Sequence, residues 1–187
     1  MKFSIAILAG GTSKRMGTDK ALLPFESSTF LQHIKTICEE QTDQLMICSS
    51  DERHKLPKTK LITDLTNNIG PLGGLIPAMD HSKYDWTVVV SCDMPFINPS
   101  FFEEITKQIS KLEGKSIIPV SNGKPQYLCA AYHKSILKLW KAQLASNNFS
   151  VRHNLTNANC SFVEMDHLEK ETFKNINNLD EYQSILK

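Results

Sequence analysis

The chain has 187 residues, of which 41% are hydrophobic and 22% charged, with a formal net charge of +1. That length supports one domain, 1–187, with a real hydrophobic core and leaves little room for two. The near-neutral charge argues against a nucleic-acid or anionic-membrane surface, so any anion is held by a local site.

In chain order, the first apolar run covers 3–8. It stops at Gly10-Gly11, too short to span a membrane and without the length or cleavage context of a signal peptide, so the cytoplasm is the expected address. Phe30, Leu31, Ile34, Ile37 and Cys38 then fall at helical spacing. Short β-rich runs follow at 45–48, 60–63 and 86–90. Ser100 reads as the cap of a helix carrying Phe101, Phe102, Ile105 and Ile109, with Glu103 and Glu104 in its first turn. Runs at 116–120 and 128–132 are further strands, and 135–144 repeats the helical pattern with Ile136, Leu137, Leu139 and Trp140. The asparagine-rich stretch 147–159 reads as a loop with a short helix near 150–155, and Asp180, Tyr182, Ile185 and Leu186 suggest a terminal helix. Val88-Val89-Val90 is apolar on both faces, as in a central parallel strand. Alternating strands and helices imply a layered α/β/α domain with a mostly parallel sheet. Cys38, Cys48, Cys92, Cys129 and Cys160 are odd in number and lack a CxxC pair, which favours buried free thiols.

The most informative segment is LAGGTSKRMGTDKALLP, residues 8–24. A hydrophobic strand ends in paired glycines, whose backbone N–H groups can form an anion-binding concavity. Lys14, Arg15 and Lys20 add charge for a polyphosphate. The spacing matches neither GxxxxGKS/T nor GxGxxG. Farther on, Asp93 follows the buried run 86–90, where a carboxylate can bond turn amides or offer a hard oxygen to Mg2+. Asp64 follows 60–63 and reads equally as a turn residue or as an acceptor for a base with donors.

The loop resembles the LAGGxxxRMGxxK pattern of nucleotidyltransferases with the nucleotide-diphospho-sugar transferase fold, a three-layer, Rossmann-like α/β/α architecture. Thr63-Asp64, the run GPLGGL at 70–75, CDMPFI at 92–97 and FKNINN at 173–178 narrow the resemblance to molybdenum cofactor guanylyltransferases. That resemblance implies transfer of GMP from Mg-GTP to molybdopterin, with release of pyrophosphate. It assigns Leu8, Ala9, Gly10, Gly11, Lys20, Asp64 and Asp93 to the nucleotide, Asp93 to the metal, and Arg15, Lys20 and Asp93 to catalysis. Asn175 and Asn177 alternate around Ile176, as on an edge strand with both amides on one face, and the resemblance sets them near the acceptor. It also implies small-molecule substrates, with transient contact to cofactor-biosynthesis or molybdoenzyme proteins. Cys48-Ser49-Ser50 departs from the pattern, which carries an asparagine at the end of the second strand. Two readings therefore compete with guanylyl transfer. One is a cytidylyl- or uridylyltransferase acting on a sugar phosphate, alditol phosphate or pterin; the other is a nucleotide-binding protein without transfer activity. No histidine is assigned a catalytic role.

Overall fold

The computed structural model describes residues 1–10, 18–65, 69–111, 116–153, 155 and 160–186. Its elements are β1 (Ser4–Leu8), β2 (Pro24–Phe25), β3 (Ser28–Thr29), α1 (Phe30–Glu39), β4 (Leu45–Cys48), β5 (Lys60–Ile62), α2 (Leu72–His81), β6 (Trp86–Ser91), α3 (Pro99–Lys111), β7 (Ser116–Ser121), β8 (Lys124–Pro125), β9 (Cys129–His133), α4 (Leu137–Ala145), β10 (Cys160–Glu164) and α5 (Leu179–Ile185). The main sheet runs β10-β7-β9-β6-β1-β4-β5, with β8 paired to β7.

Ile5, Ile7, Leu45, Ile47, Val88 and Val90 point to one face, where Leu31 and Ile34 of α1 and Phe101, Phe102 and Ile105 of α3 cover them. Ala6, Leu8, Met46, Cys48 and Val89 point to the other, under Leu72, Leu75 and Met79 of α2 and Trp140 of α4. Burial on both faces is why these strands read as unbroken apolar runs instead of alternating ones. The result is the expected α/β/α sandwich with a mostly parallel sheet.

Local chemistry sets the element ends. Thr29 and Gln32 form a reciprocal capping box that starts α1. Asn98, not Ser100, caps α3, since its Oδ1 accepts from the Phe101 N–H at 3.3 Å. Pro99 then occupies the first helical position, where a missing N–H costs nothing.

Strand β9 runs antiparallel to both β6 and β7, a direction that hydrophobicity does not encode. Two further expectations need correction. The described part of 150–155 forms a turn without a helix, and β10 follows it at the sheet edge. Asn175–Asn177 is not an edge strand: one backbone bond, from Ile176 N–H to Asp93 O at 2.9 Å, ties it to the sheet. Ile176 packs instead with Phe25, Phe30 and Tyr182, and the Tyr182 hydroxyl donates to Pro24 O at 2.7 Å. This small cluster seats the C-terminal segment against the β2–β3 hairpin.

Phe101 is fully buried and packs edge-on against Phe102 and Phe173, with centroids 5.0 and 5.9 Å away. Phe101→Ala is expected to lower stability by about 3–5 kcal/mol. Urea unfolding should show this as a lower midpoint with an unchanged slope.

Candidate active site

β1 lies between β6 and β4 in parallel register, with Leu8 opposite Ser91 on one side and Cys48 on the other. Cys48 in turn lies opposite Ile62 of β5. Four carboxyl ends are therefore level, and Asp93, Gly10, Ser49 and Asp64 leave the sheet along one edge. The chain passes from β1 to β4 and β5 on one side, then returns to β6 on the other. In open α/β sheets, that reversal is where ligands bind.

Past the strand ends the pairing continues. Cys92 N–H donates to Leu8 O at 3.0 Å, and the Ala9 and Gly10 N–H groups both donate to Cys48 O, at 3.1 and 2.9 Å. The Gly10 amide, expected to face an anion, is thus committed to the backbone. What Gly10 contributes is room. A Cβ there would sit 2.9 Å from Asp64 Oδ2, and one on Gly74 would sit 2.9 Å from both Asp64 Oδ1 and Cys48 Cβ. The carboxylate of Asp64 is seated between two glycines, from β1's end and from α2.

Asp64 is half-buried, and burial raises its pKa above the ordinary 3.8. Among the described residues, none donates a hydrogen bond to its carboxylate. A half-buried acceptor of this kind can take donors from solvent or from a ligand that brings them.

Lys20 opens a 3₁₀ turn, Lys20–Leu22, capped by Asp19, whose Oδ1 accepts from Ala21 N–H at 3.1 Å. Lys20 Nζ lies 3.4 Å from Asp93 Oδ2 and 3.3 Å from Asn177 Oδ1. The turn after Asp93 is held by His33, whose Nε2 meets Pro95 O at 3.0 Å. Three distant segments thus bring a cation, an anion and an amide together. Asn175 is half-buried and hydrogen-bonds to neither Lys20 nor Asp93. Arg15 and Gly11 lie outside the described residues.

Sequence reasoning missed a second cluster. Ser49 is not turned outward: its hydroxyl lies 2.7 Å from His54 Nδ1, and His54 Nε2 lies 2.9 Å from Asp19 Oδ2. Ligand atoms of Asp19, Asp51 and His54 fall within 4.8 Å of one another. Arg53 is paired with both carboxylates, so a guanidinium already supplies the positive charge that a metal would bring. In sequence these residues read as a solvated polar run, and no local signal marks His54 as buried. The five cysteines are buried and form no disulfide. Burial raises the pKa of Cys38, Cys48, Cys92 and Cys129, which keeps those thiols protonated and poor nucleophiles.

A family model described as the MobA-like NTP transferase domain matches residues 5–158. The chain belongs to that family. It is 32% identical to a Clostridium perfringens protein named "Probable molybdenum cofactor guanylyltransferase", over 100% of this chain and 98% of that protein. A Bacillus cytotoxicus protein of the same name is 30% identical, over 96% and 94% of the two chains. Among solved structures, molybdopterin-guanine dinucleotide biosynthesis protein A from Archaeoglobus fulgidus superposes with a TM-score of 0.82 at 22% identity, covering 97% of this chain and 96% of that one. This MobA-like chain is a nucleotidyltransferase, and the family acts on small-molecule substrates. Among its described residues, no helix is long and apolar enough to cross a membrane.

The buried Asp64 carboxyl has a measurable signature. With its pKa raised in the folded state, the native chain holds more protons than the unfolded one above pH 3.8, so this group's contribution to stability falls as pH rises. Asp64→Asn removes that penalty. Its melting temperature relative to the parent should climb as pH is raised from 3.8 toward neutrality; a difference independent of pH would show that Asp64 is not held in a desolvated site.

Proposed function

We propose that this nucleotidyltransferase transfers GMP from Mg-GTP to molybdopterin, forming the guanine dinucleotide cofactor and releasing pyrophosphate. One observation carries the reading: the Lys20–Asp93 pair and the Asp64 carboxylate, which accepts no hydrogen bond from the described residues, share one sheet edge. Asp64 suits guanine, whose pairing edge presents adjacent donors. Lys20, with Arg15, suits the phosphates. The relatives' names supply the acceptor, and Asn177 beside Lys20 is the residue assigned to its side of the site; Asn175 is assigned there with it.

In the reaction, an oxygen of the acceptor's terminal phosphate attacks the α-phosphorus. A new P–O bond forms, and the bond to the bridging oxygen breaks, its electron pair leaving with pyrophosphate. The attacking oxygen is already ionised near neutral pH, so no general base is needed. The chain's work is to hold the two phosphates in line and to stabilise charge on the bridging oxygen. Leu8, Ala9 and Gly10 shape the floor on which the nucleotide lies, Gly11 is assigned to the nucleotide with them, and Lys20 and Arg15 supply cationic donors. Asp93 offers one half-exposed hard oxygen ligand, which fits an ion that keeps waters and bridges phosphates. Mg2+ held there would neutralise the polyphosphate. Lys20 and Asp93 neutralise each other at 3.4 Å, and a Mg-polyphosphate presents each of them with a more highly charged partner. The enzyme is read as cytoplasmic, with transient contact to proteins that deliver or receive the cofactor.

Thermal stabilisation by each nucleoside triphosphate with Mg2+ tests the base preference, since a ligand of the native state raises its melting temperature. The expected order places GTP first. A larger shift with CTP or UTP would instead favour the cytidylyl- or uridylyltransferase reading, in keeping with the missing asparagine after β4. Binding without pyrophosphate release across an acceptor panel would favour a binding protein. Lys20→Ala and Asp93→Ala are each expected to reduce turnover about 100- to 1,000-fold. Neither side chain belongs to the apolar clusters, so both variants should remain folded and melt in a single cooperative transition.

A further inference from the structure

The hydrogen-bonded chain Ser49–His54–Asp19 has no part in the transfer chemistry, yet it is buried and fully matched. Ser49 is 1% exposed and His54 2%. The Asp19 carboxylate only accepts, so the His54 nitrogen facing it, Nε2, carries the proton. Nδ1 then accepts from the Ser49 hydroxyl at 2.7 Å, and Ser49 Oγ accepts from the Asp51 N–H at 3.0 Å. At the other end, Asp19 Oδ2 accepts the hydrogen bond from Nε2–H at 2.9 Å while Oδ1 caps the turn that begins at Lys20. Each link has one geometry in which donors and acceptors are satisfied, and breaking one strands a buried polar group.

The position of this chain matters more than its stability. Gly10 and Asp19 flank the glycine-rich and basic segment, and both are moored to the same point, the carboxyl end of β4. Gly10 N–H reaches Cys48 O at 2.9 Å, and Asp19 reaches the next residue, Ser49, through the His54 ring. An imidazole bridges a hydroxyl and a carboxylate at a fixed span because its two nitrogens lie at different edges of one rigid, planar ring. Beyond Asp19, the capped turn sets the backbone of Lys20, whose ammonium group stands 3.4 Å from Asp93. Arg53 also touches Asp19, at 3.2 Å, but its side chain is 65% exposed and its main partner is Asp51. The buried ring is therefore the firmer tie.

We infer that His54 is a positioning residue for nucleotide binding: it ties the end of β4 to the Asp19-capped turn and so holds Lys20 where the triphosphate must be met. The role rests on the reading of Lys20 as a phosphate ligand. It predicts coupling between two side chains that are linked through Asp19 and the turn it caps.

The test is a double-mutant cycle on affinity. Calorimetry with Mg2+ and GTP, CTP, UTP and ATP is run on the parent, His54→Ala, Lys20→Ala and the double variant, and the cycle is read with whichever triphosphate binds. His54→Ala should weaken binding about tenfold when Lys20 is present and less than about twofold when Lys20 is already alanine. His54→Gln, whose amide can still donate to Asp19, should recover most of the loss. An equal loss in both backgrounds, or no loss at all, would overturn the role, because a histidine that only stabilises the fold acts regardless of Lys20. Ser49→Ala cuts the same chain with a smaller lesion and is read in the same cycle if His54→Ala does not fold. A parent that prefers CTP or UTP revises the guanine assignment and leaves the cycle intact. A parent that binds no triphosphate removes the nucleotide reading and this role with it.

Discussion

Every feature of the site depends on the parallel pairing of β6, β1, β4 and β5 in a register that ends all four strands together. The pairing is driven by side chains buried on both faces of the sheet, and a slip of one residue would exchange those faces. With Leu8 level with Ser91, Cys48 level with both and Ile62 next in line, short turns carry polar residues off one edge. The apolar strands thus fix where the charges stand, although none of the charges takes part in the core.

At that edge the backbone and the side chains divide the work. Backbone groups of Ala9, Gly10, Cys48, Ser49 and Cys92 are consumed in extending the sheet, which makes the floor stiff and removes the Gly10 amide from ligand binding. The side chains then supply the chemistry from two separate environments. Asp64 sits in a slot that exists because two opposing positions have no Cβ, and its desolvation raises its affinity for protons and, by the same argument, for hydrogen-bond donors. Lys20 and Asp93, with side chains 13% and 24% exposed, sit on the β6 side of the edge, where opposite charges offset each other's desolvation. The substrate proposed above, a polar base joined to a metal-bound polyphosphate, asks for these two environments side by side.

The C-terminal segment completes the arrangement from outside the sheet. Phe25, Phe30, Ile176 and Tyr182 bury a small apolar cluster, and a single backbone bond from Ile176 to Asp93 joins that cluster to the turn after β6. Asn177 reaches Lys20 as a consequence of that docking. The geometry around Lys20 is thereby supported from three sides: by Asp19 behind it, by Asp93 opposite it and by Asn177 from a segment 157 positions away.

Much of this was legible in the residues themselves. Apolar runs placed β1, β4, β5, β6, β7 and β9 within a residue or so of their observed bounds, and helical spacing placed α1, α3 and α4, because burial demands a local periodicity that composition displays. Asp64 and Asp93 stood out because each lies just past an apolar run, and Lys20 because it belongs to the glycine-rich, basic segment that follows the first strand. Tertiary structure alone decided that β9 runs antiparallel, that β10 forms the sheet edge, that Asn98 caps α3, that Gly10 N–H faces Cys48, that Asn177 meets Lys20 without any strand, and that His54 is buried. Periodicity reports which side of an element is covered, not by what. Strand direction, hydrogen-bond partners and the burial of a histidine within Asp51-Glu52-Arg53-His54-Lys55 depend on groups distant in sequence, which are brought together only when the sheet closes and the helices pack.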